Sequence, residues 1–415
     1  MIRADLVLTD LSEVATLDRG PIPRTGAAMR ELGIVRDAAI ALDRGRVAWI
    51  GPERRLSRAV RRGRGARTVS AAGGVAVPGF VDAHSHALFA GDRAFELEMR
   101  AAGASYREIA QEGGGLYATV RATRAASRAD LLRESSIRLA RMAAHGTTSI
   151  EVKTGYRLSV PGEIDLLRLI PVLADRAGVT LVPTFLGAHG IPPEFAGRPS
   201  AYVDRLVRDA LPAIARRRLA RFCDVFCEPG FFTLAQSERL LRAAIALGLS
   251  AKIHADEFVR SGGARLAARL RATSADHLLA STDSDRRRLA AAGVTAVLLP
   301  VTAFASGRES RARATVDAGV AVALGTDCSP NTWVESMPLV LAHAVHGGHL
   351  TPAEALTAGT VNAAHAIGLA EAGRLAVGGP ADIAVFPFAS VDQLGYRFDA
   401  RPSAVYRQGK LVSSR

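Results

Sequence analysis

Val75-Ala-Val-Pro-Gly-Phe-Val-Asp-Ala-His-Ser-His86 is an apolar run that turns at Pro78-Gly79 and ends on Asp82, His84 and His86. Alternate residues of an extended strand point to the same side. His84 and His86 therefore present two imidazoles toward one point, as a metal ion requires. Taken alone, two histidines at this spacing are a weak signal. They gain weight only if the rest of the chain supplies further ligands at matching positions. We read the stretch as the first strand of a barrel.

From Val75 onward, apolar runs that end in polar residues alternate with amphipathic helical segments. The runs are 75–86, 148–156, 180–189, 222–228, 250–257, 273–277, 294–300 and 320–327. Helix-like segments lie between them, such as 129–144, 163–177, 202–220, 234–248 and 264–272. Strand–helix alternation predicts a parallel sheet. Eight such runs predict closure into an α/β fold, a (β/α)8 TIM-like barrel, with functional residues at the C-terminal strand ends. Residues 1–75 read instead as short strands and turns, with a helix near 53–60 and an exposed Arg/Gly-rich turn at 61–67. Thr351-Pro-Ala-Glu354 combines an N-cap, a proline at the first helical position and a capping-box glutamate, and so predicts a helix carrying 355–369. Segments 373–378, 381–386 and 404–412 return to strand character. The expected organisation is a small β-sandwich domain from residues 1–75 plus 371–415, around a catalytic barrel domain of residues 76–370.

The 415 residues are 48% hydrophobic and 22% charged, ordinary values for a folded chain. No stretch has the apolar length of a membrane span, and the N-terminus does not read as a signal peptide. Cys223, Cys227 and Cys328 form no disulfide framework, so a reducing cytoplasm is expected, with Cys223 and Cys227 as buried thiols. The net charge of +13 is carried by arginine almost alone; the lysines are Lys153, Lys252 and Lys410. The arginine runs at 216–218 and 286–288 lack the interleaved aromatics of a nucleic-acid surface. They read as solvated helix faces. Neither nucleic acid nor membrane is expected as a partner, whereas a small-molecule substrate with a carboxylate suits the field. The chain contains neither a GxSxG elbow nor a phosphate loop. Residues 113–115, Gly-Gly-Gly, read as a flexible active-site loop. His145, His343, His346, His349 and His365 fall in or beside helices and read as structural.

Four strand-end positions are candidate metal ligands: His84 and His86 on the first strand, His254 on the fifth and Asp327 on the eighth. Nitrogen and carboxylate donors with an open position suit Zn²⁺, Fe²⁺ or Mn²⁺. Asp327 is also placed to accept a proton from an attacking water. His277, at the end of the sixth strand, is placed to orient that water or stabilise developing charge. A single histidine at a strand end is ordinarily a hydrogen-bonded surface residue. One barrel end that gathers all five side chains points to a metal-dependent hydrolase.

Residues 78–86 resemble the first metal motif of the amidohydrolase superfamily. Residues 89–100, 113–124, 151–156, 184–189 and 254–257 are similar to the imidazolonepropionase family within it, over nearly the whole chain. The resemblance implies hydrolytic opening of 4-imidazolone-5-propanoate to N-formimidoyl-glutamate, with another cyclic amidase or an aminohydrolase as the alternative. It implies one bound ion, Zn²⁺ or iron (Fe²⁺/Fe³⁺), on His84, His86, His254 and Asp327, and a homodimer. It implies substrate contacts at Arg93, Tyr106, Tyr156, His189, Glu257 and His277. Arg93 offers a fork of donors to the propanoate carboxylate, and the two tyrosines offer hydroxyls. His189 would hold the ring carbonyl oxygen. Glu257 would bond a ring N–H and pass a proton to the leaving nitrogen. After Asp327 the family pattern has Asn two residues on and Gly two further. Here Ser329 and Asn331 stand at those substrate-lining positions, with Asn331 expected to substitute for the missing amide.

Overall fold

Pro78 and Gly79 mark where the chain passes from one sheet to another. The computed structural model describes residues 1–104 and 106–414, the side chains of Tyr106, Arg107 and Ala110 excepted. Strands β1 (Ile2–Ala15), β2 (Ile34–Asp43), β3 (Arg46–Pro52) and β4 (Val60–Pro78) come first. Next come β5 (Phe80–Asp82), β6 (Thr147–Lys153), β7 (Thr180–Ala188), β8 (Phe222–Cys227), β9 (Ser250–Ala255), β10 (Ser274–His277), β11 (Thr295–Leu298) and β12 (Val322–Leu324). The C-terminus adds β13 (Ile383–Phe386), β14 (Ala404–Arg407) and β15 (Lys410–Ser414).

Strands β5 to β12 form one sheet in sequential order, parallel throughout. Its two ends meet: Ala83 N–H donates to Leu324 C=O at 3.2 Å, and Asp327 N–H donates to His84 C=O at 2.9 Å. A parallel bridge joins Ser85 to Cys328. The seam of the barrel is thus made at the first and last metal-ligand candidates. Gly325 permits this approach, because a Cβ there would meet His84 N at 2.8 Å and His84 O at 3.0 Å. The large apolar core lies between the strands and the surrounding helices, with Ile150, Leu166, Phe185, Leu240, Ile253 and Leu341 among its members.

The other strands form a seven-stranded sheet in the order β15-β14-β13-β4-β1-β2-β3, built from both ends of the chain. It curls over its own core, which joins Leu8, Ile40 and Val47 to Ile383, Val385 and Tyr406. Val47 N–H reaches Gly379 C=O at 2.9 Å, drawing the β3 edge toward the segment before β13.

Several elements differ from expectation. The run 75–86 is not one strand. Val75, Ala76, Val77 and Pro78 pair antiparallel with β13, and only Phe80 onward joins the barrel. Proline brings no ladder donor, and Gly79 passes so close to Thr148 that a Cβ would lie 2.3 Å from its Oγ1. The segment 61–67, expected as a turn, lies inside β4 beside β1; a register shift between Ala4 and Leu6 absorbs its extra residues. The helix expected over 202–220 contains a π turn, Leu206–Ala210, just before Pro212. Proline cannot donate to the preceding turn, so the ladder widens there. The capping box of Thr351 and Glu354 forms, but its helix, Pro352–Ala358, stops at Gly359 before a second one, Val361–Ala366. Near residue 53 only two single turns form, Glu53–Arg55 and Leu56–Ala59.

Candidate metal centre and active site

The ends of β5, β9, β10 and β12 bring the candidate ligands to one pocket. His84 Nε2 lies 3.2 Å from His86 Nε2, and His254 Nε2 lies 3.4 Å from His86 Nε2. Asp327 Oδ1 is 3.6 Å from His84 Nε2 and 3.5 Å from His86 Nε2. A tetrahedral ion with bonds of ~2.0–2.1 Å places its ligand atoms ~3.3 Å apart. His84, His86 and Asp327 have that spacing among themselves, and His254 has it from His86. Burial holds His84 and His86 well below the ordinary imidazole range, with neighbouring cations and histidines adding to it, so both are neutral donors. The residues fit a divalent cation. Other buried triplets share the neighbourhood, including His86 with His189 and His254.

Hydrogen bonds behind the rings set their orientation. His84 Nδ1 is 2.6 Å from Asp276 Oδ2, which fixes the Nδ1 proton and leaves the Nε2 lone pair facing the cluster. His254 Nδ1 lies 3.0 Å from Asp224 Oδ2, at an angle poor for a hydrogen bond. His86 stacks on His189, with ring centroids 4.9 Å apart and planes at 16°. Asp327 turns Oδ2 to the Thr302 hydroxyl at 2.9 Å, which leaves Oδ1 for the cluster. Asp327 and His277 are non-glycine residues at positive φ, 53° and 73°. Each such position costs on the order of 1–3 kcal/mol and persists only where its surroundings enforce it.

An open pocket lies over this cluster. His86, Arg93, Tyr156, His189, His254, Glu257, His277, Asp327, Ser329 and Asn331 all line it. His277 Nε2 sits 3.6 Å from Glu257 Oε2. Burial, with the charges of Asp327 and Glu228 beside it, pushes the Glu257 carboxyl well above its usual range. Burial also keeps His189 neutral, with its pKa lowered to about 3. Tyr106 lies outside the described side chains.

Two details differ from the expected contacts. The Arg93 fork is turned to Glu96, with Nε at 2.6 Å from Oε1 and Nη2 at 2.8 Å from Oε2. Glu96 is fully buried and needs those donors; it also accepts from Gly115 N–H at 2.7 Å and Arg100 Nη2 at 2.8 Å. Among the described residues Arg93 Nη1 has no partner. Gly115 therefore begins an ordered helix, Gly115–Ala125, where a flexible loop was expected. Asn331 Oδ1 accepts from Arg100 Nη2 at 2.6 Å, tying the loop after β12 to the one after β5.

Sequence reasoning missed Asp224, Asp276, Lys153, Glu96 and Thr302, and the apolar wall of Leu116, Phe226 and Phe231. A charge in the middle of a buried strand was the available signal for the first three.

A family model described as the amidohydrolase family matches residues 90–413. The chain is 44% identical to an imidazolonepropionase of Symbiobacterium thermophilum, over 98% of this chain and 97% of that protein. It is 42% identical to the imidazolonepropionase of Herpetosiphon aurantiacus, covering 99% and 98% of the two chains. Among solved structures it resembles E. coli guanine deaminase at a TM-score of 0.72 and 15% identity, covering 99% of both chains. An adenosine deaminase from Xanthomonas campestris with bound zinc aligns at 0.70 and 20% identity, over 99% of this chain and 93% of that one. These structural likenesses concern the fold.

Proposed function

The chain belongs to the imidazolonepropionases of the amidohydrolase family, and from that premise we propose how its residues act. It hydrolyses the ring amide of 4-imidazolone-5-propanoate to N-formimidoyl-L-glutamate in histidine degradation. Water adds to the ring carbonyl carbon, the carbon–nitrogen bond breaks, and the leaving nitrogen takes a proton.

One divalent ion, zinc or iron, would be held by His84, His86, His254 and Asp327. When bound it supplies Lewis acidity, making water acidic near pH ~7. Asp327 receives the proton of the attacking water on Oδ1 while Thr302 holds Oδ2. His277 orients that water. His189 Nδ1 donates to Gly155 C=O at 3.3 Å, since a carbonyl only accepts, and this holds the ring against the pocket wall. His189 is placed there to contact the ring carbonyl oxygen of the substrate. Glu257, kept in its acid form by burial, bonds the ring N–H and delivers the proton to the leaving nitrogen. Arg93 Nη1 and the Tyr156 hydroxyl receive the propanoate carboxylate, with Ser329 completing the pocket and Asn331 set by Arg100. Phe226 and Phe231 give the flat ring an apolar wall. The reaction runs in the cytoplasm, where Cys223, Cys227 and Cys328 stay as buried thiols.

The observation that carries the assignment of residues is the 3.2–3.6 Å spacing of His84, His86 and Asp327 beneath one pocket, with His254 3.4 Å from His86. The test is metal analysis joined to an imidazolonepropanoate assay on the same preparation. One ion per chain and turnover are expected; a metal-loaded protein without turnover overturns the reading. Asp327→Asn should abolish turnover while leaving the circular dichroism spectrum unchanged, and retained activity would remove Asp327 from its role.

A further inference from the structure

Below the ligand histidines, the barrel interior holds a plug of charge. Lys153, Glu151, Asp224, Lys252 and Asp276 are all completely buried. Barrel interiors are ordinarily filled by branched apolar side chains, and buried ion pairs are poor sources of stability. Five charges here call for another explanation, and their connections supply one.

Lys153 Nζ lies 2.8 Å from Asp224 Oδ2 and 3.3 Å from Asp276 Oδ2. The same Asp276 oxygen is 2.6 Å from His84 Nδ1, and the same Asp224 oxygen is 3.0 Å from His254 Nδ1. One ammonium therefore stands behind two carboxylates, and each carboxylate stands behind one ring. Lys153 also pairs with Glu151 Oε2 at 3.0 Å. Lys252, equally buried, is joined to Glu151 Oε1 at 2.8 Å and to Ala83 C=O at 3.2 Å. No contact links its ammonium to either aspartate among the described residues. The third ring, His86, has no partner at Nδ1 among the described residues and is kept in place by stacking on His189.

We propose that Lys153 is a positioning residue of the metal centre, its single ammonium holding Asp224 and Asp276 so that they aim His254 and His84. The inference rests on the ligand assignment made above. Its logic is geometric. An aspartate without a cation behind it can rotate away from the imidazole, and the ring then loses its direction, and at His84, where a hydrogen bond is made, its tautomer too. Because Lys153 serves both aspartates, its loss disturbs two of the three ring ligands together. Loss of Lys252 frees Glu151 and the Ala83 carbonyl, neither of which belongs to the ligand set, and leaves the Lys153 ammonium in contact with both aspartates.

The test measures Zn²⁺ affinity by competition with a chromophoric chelator, and the visible absorption bands of the Co²⁺-substituted protein. Wild type, Lys153→Met, Lys252→Met and Asp276→Asn are compared, each checked for folding by circular dichroism without metal. Outer-shell partners are typically worth about 10–100-fold in metal affinity. Lys153→Met is expected to weaken Zn²⁺ binding by about that factor and to shift the Co²⁺ bands, and Lys252→Met to weaken it by less than about 3-fold. Should Lys153→Met fail to fold, Asp276→Asn decides, since it keeps the side-chain shape and removes the shared anion. At least about 10-fold weaker binding supports the proposal and wild-type affinity overturns it. Equal losses in the two lysine variants would make the effect one of core charge alone and overturn it. His254→Ala separates the two levels of the argument. If it binds Zn²⁺ as well as wild type does, the ligand assignment falls and this inference falls with it. If it loses Zn²⁺ while folded Lys153→Met retains it, the inference alone is lost.

Discussion

Glu257 stands 3.6 Å from His277 Nε2, with its backbone N–H held by Glu228 Oε1 at 2.6 Å. A carboxyl in that setting is costly to ionise: it is desolvated, and Asp327 and Glu228 repel a third negative charge. Its folded pKa is raised, so the acid form persists to higher pH than in an exposed carboxyl and is lost as pH climbs past the raised value. If the acid form is what protonates the leaving nitrogen, kcat/KM must fall on the alkaline side. Glu257→Gln keeps the shape and an N–H donor but has no proton to give. Turnover should drop by about 10²–10⁴-fold with metal content unchanged, and the residual rate should lack the alkaline limb. A Gln variant that keeps the limb at the same midpoint would take Glu257 out of the proton transfer. The same residue shows what spacing alone reveals. That Glu257 follows His254 by three residues is plain in the sequence. That Glu228, just past the end of β8, fixes its backbone is visible only in the fold.

The barrel strands were the most legible elements. The run read over 250–257 contains β9 (Ser250–Ala255), and the run over 222–228 contains β8 (Phe222–Cys227). Strands buried on both faces read as continuous apolar stretches, and their ends are marked by the polar residues the site needs. The same property hid the split at Pro78, because an apolar run looks alike in either sheet. Connections between elements were hidden for another reason: a charge in the sequence does not name its partner. Asp285 illustrates this. It closes the capping box of the helix Asp283–Ala292 with Thr282, and it accepts from Arg260 Nε at 2.9 Å and Arg265 Nε at 3.0 Å. Arg265 belongs to the preceding helix, Gly263–Leu270, so one carboxylate joins two helices and a loop. The carboxyl is 1% exposed, and although burial opposes ionisation, these hydrogen bonds hold its pKa well below the usual range. A depressed folded pKa means stabilisation that is complete above the unfolded value near ~4 and lost as pH falls toward the folded one. The arginines are about half exposed, which limits the pairing, so Asp285→Asn should cost about 1–2 kcal/mol at pH 7. In urea melts the gap between variant and wild type should narrow at pH 3; a gap that stays constant would show that the charge is not the cause.

Across the whole molecule, the terminal sheet and the barrel are joined by a segment that belongs to neither. Residues 16–33 lie between β1 and β2 and run against the last helices of the barrel. Arg24, 1% exposed, donates from Nη2 to Leu17 C=O at 2.9 Å and also bonds the carbonyls of Arg19 and Glu31. Thr357 Oγ1 reaches Met29 C=O at 2.7 Å. Asn362, fully buried in the helix Val361–Ala366, makes the central clasp. Its Oδ1 accepts from Arg24 N–H at 2.8 Å, and its Nδ2 donates to Arg24 C=O and Val322 C=O, both at 2.9 Å. Residues 338 positions apart are thereby paired backbone to side chain. No local pattern in the sequence points to such a pairing; a lone asparagine in an apolar helix reads as a weak helix former and nothing more. Its removal exposes the dependence. Asn362→Ala leaves an N–H and two C=O groups buried and unpaired, and should destabilise by about 3 kcal/mol. Asn362→Asp should cost more, since it turns an acceptor toward two carbonyl oxygens and buries a charge. Because the clasp joins the strap to the barrel beside β12, the loss should lower the midpoint of a single urea transition monitored by both tryptophan fluorescence and circular dichroism. An Ala variant within 1 kcal/mol of wild type would show that the two units cohere without the clasp.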